Sequence, residues 1–242
     1  MSENLVIVSR VEEVKRRYNL KANELCGTVK TPSIVSGGDL AWVITSKEPT
    51  TLQTMRFGFT PHRSETRTDM LNTRTDEASK GDDDSDYDRL MGVFMKLDFW
   101  QSINAFRCVV MVDAFLVTLP DNIHYLIHMQ NKERPFALAG LYDHWQDPKT
   151  KAYSTGFTII TVAANPMLSR IGVNQMPVVI TLKNVLKWLD LKTDRRQYLS
   201  LIHTFPDEMM NGYAVSSKIF SGQLTTNHLQ PIGSKLKPDK QG

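Results

Sequence analysis

Two histidines four residues apart, His124 and His128, are the first side chains in this sequence whose type and spacing suggest chemistry. On a helix, that spacing would place both imidazoles on one face as metal ligands. Their context, NIHYLIHM, favours a strand, on which the two would share a face but lie about 13 Å apart at ~3.3 Å per residue. No Glu or third His accompanies them, so we expect neither a metal site nor a bound cofactor.

The two cysteines, Cys26 and Cys108, stand too far apart in the sequence for a zinc ribbon or a disulfide scaffold. Free cysteine is often buried, so we expect Cys26 to be a structural thiol. The sequence also lacks GxSxG, HExxH and a glycine-rich phosphate loop. Hydrolase, metalloprotease and nucleotide-binding functions therefore have no motif to support them.

The composition is that of an ordinary globular protein: 242 residues, of which 41% are hydrophobic and 23% charged. The formal net charge of +3 permits an anionic partner but is far from that of a dedicated nucleic-acid coat. No apolar run approaches the ~18 residues that a membrane span needs, and the first one is too short for a signal peptide. We expect a soluble, cytoplasmic chain that makes no membrane contact.

The elements that position any site are mainly strands. Val11, Val14 and Tyr18 recur at helical spacing and predict an amphipathic helix over about 9–20. Strands are predicted at 40–45, 54–59, 108–115, 123–129, 135–142, 157–163 and 213–219. Near the end, LKNVLKWLDL predicts a helix with Leu182, Val185, Leu186 and Leu189 on one face, and a second helix is predicted over 195–203. Helices around a long run of strands, without βαβ alternation, predict an α+β fold.

Two segments are poor core material. Residues 79–88, SKGDDDSDYD, hold five aspartates and predict a surface loop. They lack the closing Glu and the Gly placement of a calcium-binding EF-hand loop, so a solvated loop is the favoured interpretation. Residues 233–242 form a polar tail that we expect to be frayed. We therefore predict a single domain over residues 1–232.

Six short blocks of the sequence are each weak signals, but their order along the chain is informative. They are MRFGFTP at 55–61, LNTRTDEA at 71–78, FRCVVMVDAF at 106–115, PFALAGLYDHW at 135–145, FTIITVAAN at 157–165 and QMPVVI at 175–180. In this order the blocks resemble the SRAP family, the SOS response-associated peptidases. The resemblance covers about residues 11–190, which is most of the chain.

The resemblance implies a compact α+β domain built around a twisted, barrel-like and mainly antiparallel β-structure with peripheral helices. It also implies a protein of the DNA damage response that binds single-stranded DNA and captures abasic sites. In that family a cysteine after the initiator Met condenses with the sugar aldehyde through its amine and thiolate, which closes a stable ring. An Asn, a Glu and a His surround this cysteine.

At the capturing position this chain has Ser2. Removal of Met1 before so small a residue would leave an α-amine that can form a Schiff base with an aldehyde. A hydroxyl closes the ring far less readily than a thiolate, because it is essentially never ionised near neutral pH. We therefore expect any adduct through Ser2 to be reversible.

The family's Asn falls on Asn72 and its Arg on Arg74. The resemblance implies that Asn72 hydrogen-bonds the captured sugar or the N-terminal residue and that Arg74 contacts a phosphate. Arg63 is a further candidate for a phosphate contact, although PHRSE lacks the tryptophan that follows the first block in the family. The alternative is that Asn72 forms a turn and both arginines are solvated surface residues.

The family's Glu is replaced by Val117 and its His by Val173. Neither valine can move a proton, so we expect no peptidase activity. Two hypotheses remain. The chain either binds single-stranded or abasic DNA as a catalytically degenerate member of the family, or it is a pseudoenzyme, a binding or scaffold module with no DNA cross-linking or peptidase activity. The acidic stretch at 79–88 favours the second hypothesis, since it would repel phosphates.

Overall fold

The computed structural model describes residues 4–75, 94, 97–130 and 133–236. Its strands are β1 (Asn4–Ile7), β2 (Lys21–Ala22), β3 (Ser33–Val35), β4 (Leu40–Thr45), β5 (Thr51–Phe57), β6 (Asn72–Arg74), β7 (Arg107–Val112), β8 (Ala114–Thr118), β9 (His124–Met129), β10 (Phe136–Gln146), β11 (Tyr153–Ala163), β12 (Gln175–Pro177), β13 (Val179–Ile180), β14 (Met210–Val215) and β15 (Lys235–Leu236). Its α-helices are α1 (Val11–Tyr18), α2 (Leu97–Ala105), α3 (Pro166–Ser169), α4 (Val185–Leu189) and α5 (Arg195–Leu199).

Five strands close into a barrel in the order β5, β4, β7, β10, β11 and back to β5. Four of these pairings are antiparallel, and the β11–β5 pairing that closes the ring is parallel. At this closure Phe57 stacks on Phe157 with ring centroids 5.0 Å apart. Gly156 is required there, because a Cβ at this position would overlap the carbonyl oxygen of Gly58.

A second, six-stranded sheet has the order β15, β14, β9, β8, β1, β3. It is joined to the barrel where β7 continues into β8 through the buried Asp113. The Asp113 carboxylate accepts hydrogen bonds from the backbone N–H groups of Val8 and Ser9, at 2.7 and 2.8 Å, and from Ser9 Oγ. Asp113 therefore ties the end of the N-terminal strand to the junction between barrel and sheet.

The helices lie on the periphery, and Arg107 at the start of β7 anchors three of them. Its guanidinium is 1% exposed and donates to the carbonyl oxygens of Trp188, Ile103 and Asp190 at 2.6, 2.7 and 2.9 Å. It also lies 4.1 Å from the centre of the Tyr198 ring. Helices α2, α4 and α5 are thus joined to one buried cation.

The α+β architecture and the barrel predicted from the sequence are confirmed. The helix predicted over about 9–20 is observed as α1, and Cys26 is buried as expected. The acidic stretch at 79–88 lies outside the described residues. Within the polar tail, Lys235 and Leu236 pair with β14.

Two predictions of local structure are wrong. The chain from Leu182 begins as a 3₁₀ turn, and the α-helix buries Val185 and Leu189 but leaves Leu186 65% exposed. The strand predicted over 213–219 is shifted: β14 occupies Met210–Val215, and a 3₁₀ turn follows that Ser216 caps through its side chain. Among the described residues, none of the helices is long and apolar enough to cross a membrane.

Candidate functional site

Asn72 and Arg74 lie on β6, a three-residue strand that runs parallel to β11. Because side chains alternate along a strand, these two share one face. The opposite face is fixed to β11 by Thr73, whose hydroxyl bonds to that of Thr158 at 3.2 Å. Asn72 Oδ1 is buried and has no hydrogen-bond partner among the described residues, which is a costly arrangement that buried amide groups seldom adopt.

A cavity of about 400 Å³ lies beside Arg74. Its walls include Thr118 at the end of β8, Val173, and Gln175 at the start of β12. Gln175 is 3% exposed, and its Oε1 accepts from the Thr161 hydroxyl at 3.3 Å. Segments that are far apart in sequence therefore meet around one space. Its volume lies at the lower end of the range for small-ligand sites.

Apolar side chains occupy the two positions where the resemblance implies a Glu and a His. Val117 is 1% exposed and Val173 5% exposed, and both belong to the main hydrophobic core. Val173 also contributes to the cavity wall. This part of the site excludes water but has no group that can accept or donate a proton.

Ser2 lies outside the described residues. The described chain begins at Asn4, which pairs with Leu116 on β8, antiparallel and two residues before Thr118. The start of β1 therefore lies beside the last residues of β8.

Arg63 lies on the loop between β5 and β6 and is not among the residues that line the Arg74 cavity. Its Nε donates to His62 Nε2 at 3.2 Å. Asp143 accepts from the backbone N–H of His62 and contacts His62 Nδ1, both at 3.0 Å. These partners assign Nδ1 as the protonated nitrogen of His62. Asp143 and Trp145, which donates to Ser64 at 2.8 Å, fix this loop on β10.

The other candidate groups are placed apart from one another. On β9, His124 packs edge-on against Phe220, and His128 against Tyr213. Burial lowers the pKa of both imidazoles and raises the pKa of the Cys26 thiol. Within the described part of the chain, no three His, Cys, Asp or Glu side chains are grouped so that they could hold a metal ion.

Sequence reasoning missed three polar residues of this region. Asp113 and Asp143 both follow buried strand residues, and each accepts backbone N–H groups from a distant loop. The signal was an aspartate inside an otherwise apolar run, as in MVDAF and LYDHW, because such a carboxylate requires partners. Thr118 carried no signal, since nothing in its local sequence shows which space it lines.

A closed five-stranded barrel, extended by a second sheet and bearing this cavity beside β6, defines the class of protein. The family model described as SOS response associated peptidase (SRAP) matches residues 2–221. This chain therefore belongs to the SRAP family.

Two relatives from Bacillus subtilis (strain 168) are named abasic site processing proteins. YoqW is 32% identical over 130 residues, which are 52% of this chain and 57% of YoqW. YobE is 31% identical over 137 residues, which are 55% of this chain and 62% of YobE. The chain thus matches less than two thirds of the length of either relative.

Two solved structures share the fold. A protein from Bacteroides thetaiotaomicron has a TM-score of 0.78 and 21% sequence identity, with 95% of this chain and 99% of that chain covered. A phage-related protein from Bordetella bronchiseptica has a TM-score of 0.63 and 18% identity, with 89% and 94% covered. At these identities the likeness concerns the fold alone.

Proposed function

We propose that this chain binds single-stranded DNA at abasic sites through the Arg74 cavity and holds the sugar aldehyde only reversibly, by a Schiff base to the Ser2 amine. The observation that carries the proposal is that Arg74 lines the cavity and that Asn72 lies on the same face of β6. Arg74 supplies charge for a phosphate, and Asn72 supplies a buried acceptor that no donor in the described parts of the chain satisfies. The names of the two Bacillus relatives support the same substrate.

The cavity has room for an abasic nucleotide. A space of about 400 Å³ accommodates a sugar and its phosphate. We expect covalent chemistry to stop at the imine, because Val117 and Val173 offer no acid or base and Ser2 offers no thiolate.

The same two valines favour a second candidate function. A pseudoenzyme that keeps the fold as a binding or scaffold module, without cross-linking or peptidase activity, needs no proton-handling groups at these positions. The two functions differ in whether the cavity recognises DNA. A cytoplasmic location suits both, because buried thiols such as Cys26 stay reduced there.

The test is equilibrium binding of fluorescent single-stranded oligonucleotides with and without one abasic site. We expect the wild type to prefer the abasic strand, and Arg74→Ala to weaken binding about tenfold, since a hydrogen bond to a charged group contributes ~1.5–3 kcal/mol. Loss of one phosphate contact should also lower the slope of log K against log salt by about 0.7. Arg16→Ala, on the exposed side of α1, is the matched control. Equal affinity for both strands, unchanged by Arg74→Ala, would favour the scaffold function.

A further inference from the structure

We propose that the end of the barrel remote from β6 is a second binding site, which takes a small zwitterion with the size and chemistry of an amino acid that has an uncharged polar side chain. This inference goes beyond the proposed function and uses none of its residues. The site is a cavity of about 310 Å³, which is a small-ligand volume. Thr155 in its wall precedes Thr161, the register partner of Arg74, by about 20 Å of β11 at ~3.3 Å per residue.

The strand register shows that this cavity is the open end of the barrel interior. Asp143 on β10 points outward, where it holds the loop of His62, so Tyr142 and His144 on either side of it point inward. Thr155 is the register partner of His144 on β11. Alternation along β4 and β5 places further side chains on the same inner surface. The inward side chains that line the cavity are Thr45, Gln53, Met55, Tyr142, His144 and Thr155, from four of the five barrel strands.

One wall of this barrel mouth is well packed and carries neutral hydrogen-bonding groups. The rings of Phe106, Tyr142 and His144 pack edge-on against one another, with centroids 5.3 to 5.7 Å apart. His144 Nδ1 lies 2.8 Å from Thr155 Oγ1. Burial raises the pKa of Tyr142 to about 12 and lowers the pKa of His144, so both side chains are uncharged near pH 7. On β5, the half-buried amide of Gln53 can both donate and accept. An uncharged polar side chain of a ligand therefore finds partners here.

The rim of the mouth carries two opposite charges, Lys47 and Glu48, in the turn between β4 and β5. Both side chains are exposed, and neither forms an ion pair with any described residue. The third charged residue of the lining, Arg56, is already paired with Asp69. Lys47 Nζ lies 4.4 Å from the centre of the Phe106 ring, and an ammonium has three donors, so it can still bind a carboxylate.

These charges select the class of ligand. A simple anion would be attracted by Lys47 but repelled by Glu48, and a simple cation would meet the reverse. A zwitterion places its carboxylate at Lys47 and its ammonium at Glu48, so both rim charges gain a partner. An α-amino acid carries these two groups on one carbon, which matches two charges on neighbouring residues of one turn. Its side chain then extends into the mouth toward Gln53 and the Tyr142 wall.

Isothermal titration calorimetry of the full-length protein with L-glutamine tests this assignment, beside two probes that each lack one charge. The α-amide of L-glutamine has no carboxylate, and N-acetyl-L-glutamine has no ammonium. We expect each of these probes to bind at least tenfold more weakly than L-glutamine, since hydrogen bonds between charged groups are the stronger ones. Lys47→Gln should weaken L-glutamine at least tenfold but leave the α-amide unchanged. Glu48→Gln should likewise weaken L-glutamine but leave N-acetyl-L-glutamine unchanged.

Lys183→Gln, on the exposed 3₁₀ turn before α4, is the matched control and should bind L-glutamine as the wild type does. The Lys47 and Glu48 variants should bind abasic DNA with unchanged affinity, because the Arg74 cavity is not involved. If L-glutamine does not bind, or binds no better than the two single-charge probes, the zwitterion site is wrong, whether or not the protein captures abasic DNA. Binding of L-glutamine that survives both Lys47→Gln and Glu48→Gln would also contradict the proposal.

Discussion

Arg107 and Asn72 both carry polar atoms that are shielded from water, but the fold treats them in opposite ways. The Arg107 guanidinium donates from Nε and both terminal nitrogens to three carbonyl oxygens, those of Trp188, Ile103 and Asp190. Asn72 Oδ1 is buried too, but it accepts a hydrogen bond from none of the described residues. A buried polar group that is fully paired stabilises the fold, whereas one left unpaired costs stability. Arg107 therefore has the features of a structural anchor, and Asn72 those of a binding-site residue.

The largest expected effect concerns the anchor. Arg107→Ala should lower the free energy of unfolding by about 3 kcal/mol or more, because it removes the donor from two buried carbonyl groups and one partly buried one and opens a void beside the Tyr198 ring. Denaturant titration measures this change. Arg195→Ala is the control. Arg195 covers the partly exposed Trp100 ring at 4.7 Å and donates one long hydrogen bond, 3.4 Å, to Asn104 Oδ1, so its loss should cost about 1 kcal/mol or less. An equal loss of unfolding free energy in both variants would contradict the role of Arg107 as an anchor.

At the candidate site we expect the opposite pattern, in which DNA capture falls and stability changes little. Asn72→Ala should reduce capture of abasic DNA at least tenfold, about 1.4 kcal/mol, and change the free energy of unfolding by less than about 1 kcal/mol. The reason is that Asn72 Oδ1 gives up no protein hydrogen bond when it is removed. Borohydride trapping and denaturant titration on the same preparations give both numbers. A marked loss of stability with capture intact would make Asn72 a structural residue like Arg107.

The smallest effect concerns a surface ion pair. Partial burial alone would raise the pKa of Asp69, but hydrogen bonds from Arg56 and Arg67 outweigh it and lower that pKa below its usual 3.8. A lowered pKa stabilises the fold at pH values above the unfolded value and ceases to do so as pH falls through the folded value. Above pH ~5, the free energy of unfolding of the wild type should exceed that of Asp69→Asn by less than about 1 kcal/mol, since the ion-paired groups are partly exposed. This difference should shrink below pH ~4, and denaturation at pH 3 to 6 measures it. A difference that stays constant over this range would contradict the assignment.

The sequence predicted the strands well where hydrophobic runs are long, as at 40–45 and 157–163. It could not predict how the barrel closes, because the parallel contact of β5 with β11 depends on a close approach at Gly58 and Gly156 that no periodicity reveals. The error over α4 has a similar origin. A 3₁₀ turn from Leu182 changes the angle between successive side chains, so the face expected from a 3.6-residue period is displaced.

The candidate site was predictable only in part. Asn72 and Arg74 could be identified because they lie two residues apart in one motif. Arg74 comes to lie beside Thr161 only through the β6–β11 register, and Asn72 becomes unusual only once its oxygen is seen to be buried without a partner among the described residues. Pairing across strands and burial are properties of the folded chain, which local sequence does not determine.

Reversible capture of an abasic site is the central claim, and a denaturing gel tests it most directly. The purified protein is incubated with single-stranded DNA carrying one abasic site, with and without borohydride, beside a Ser2→Cys variant that regains a thiol after the initiator Met. We predict that the wild type gives a cross-linked band only after reduction, whereas Ser2→Cys gives a band without reduction, because its thiolate can close a ring. A wild-type band without borohydride, or no wild-type band under either condition, would contradict the claim.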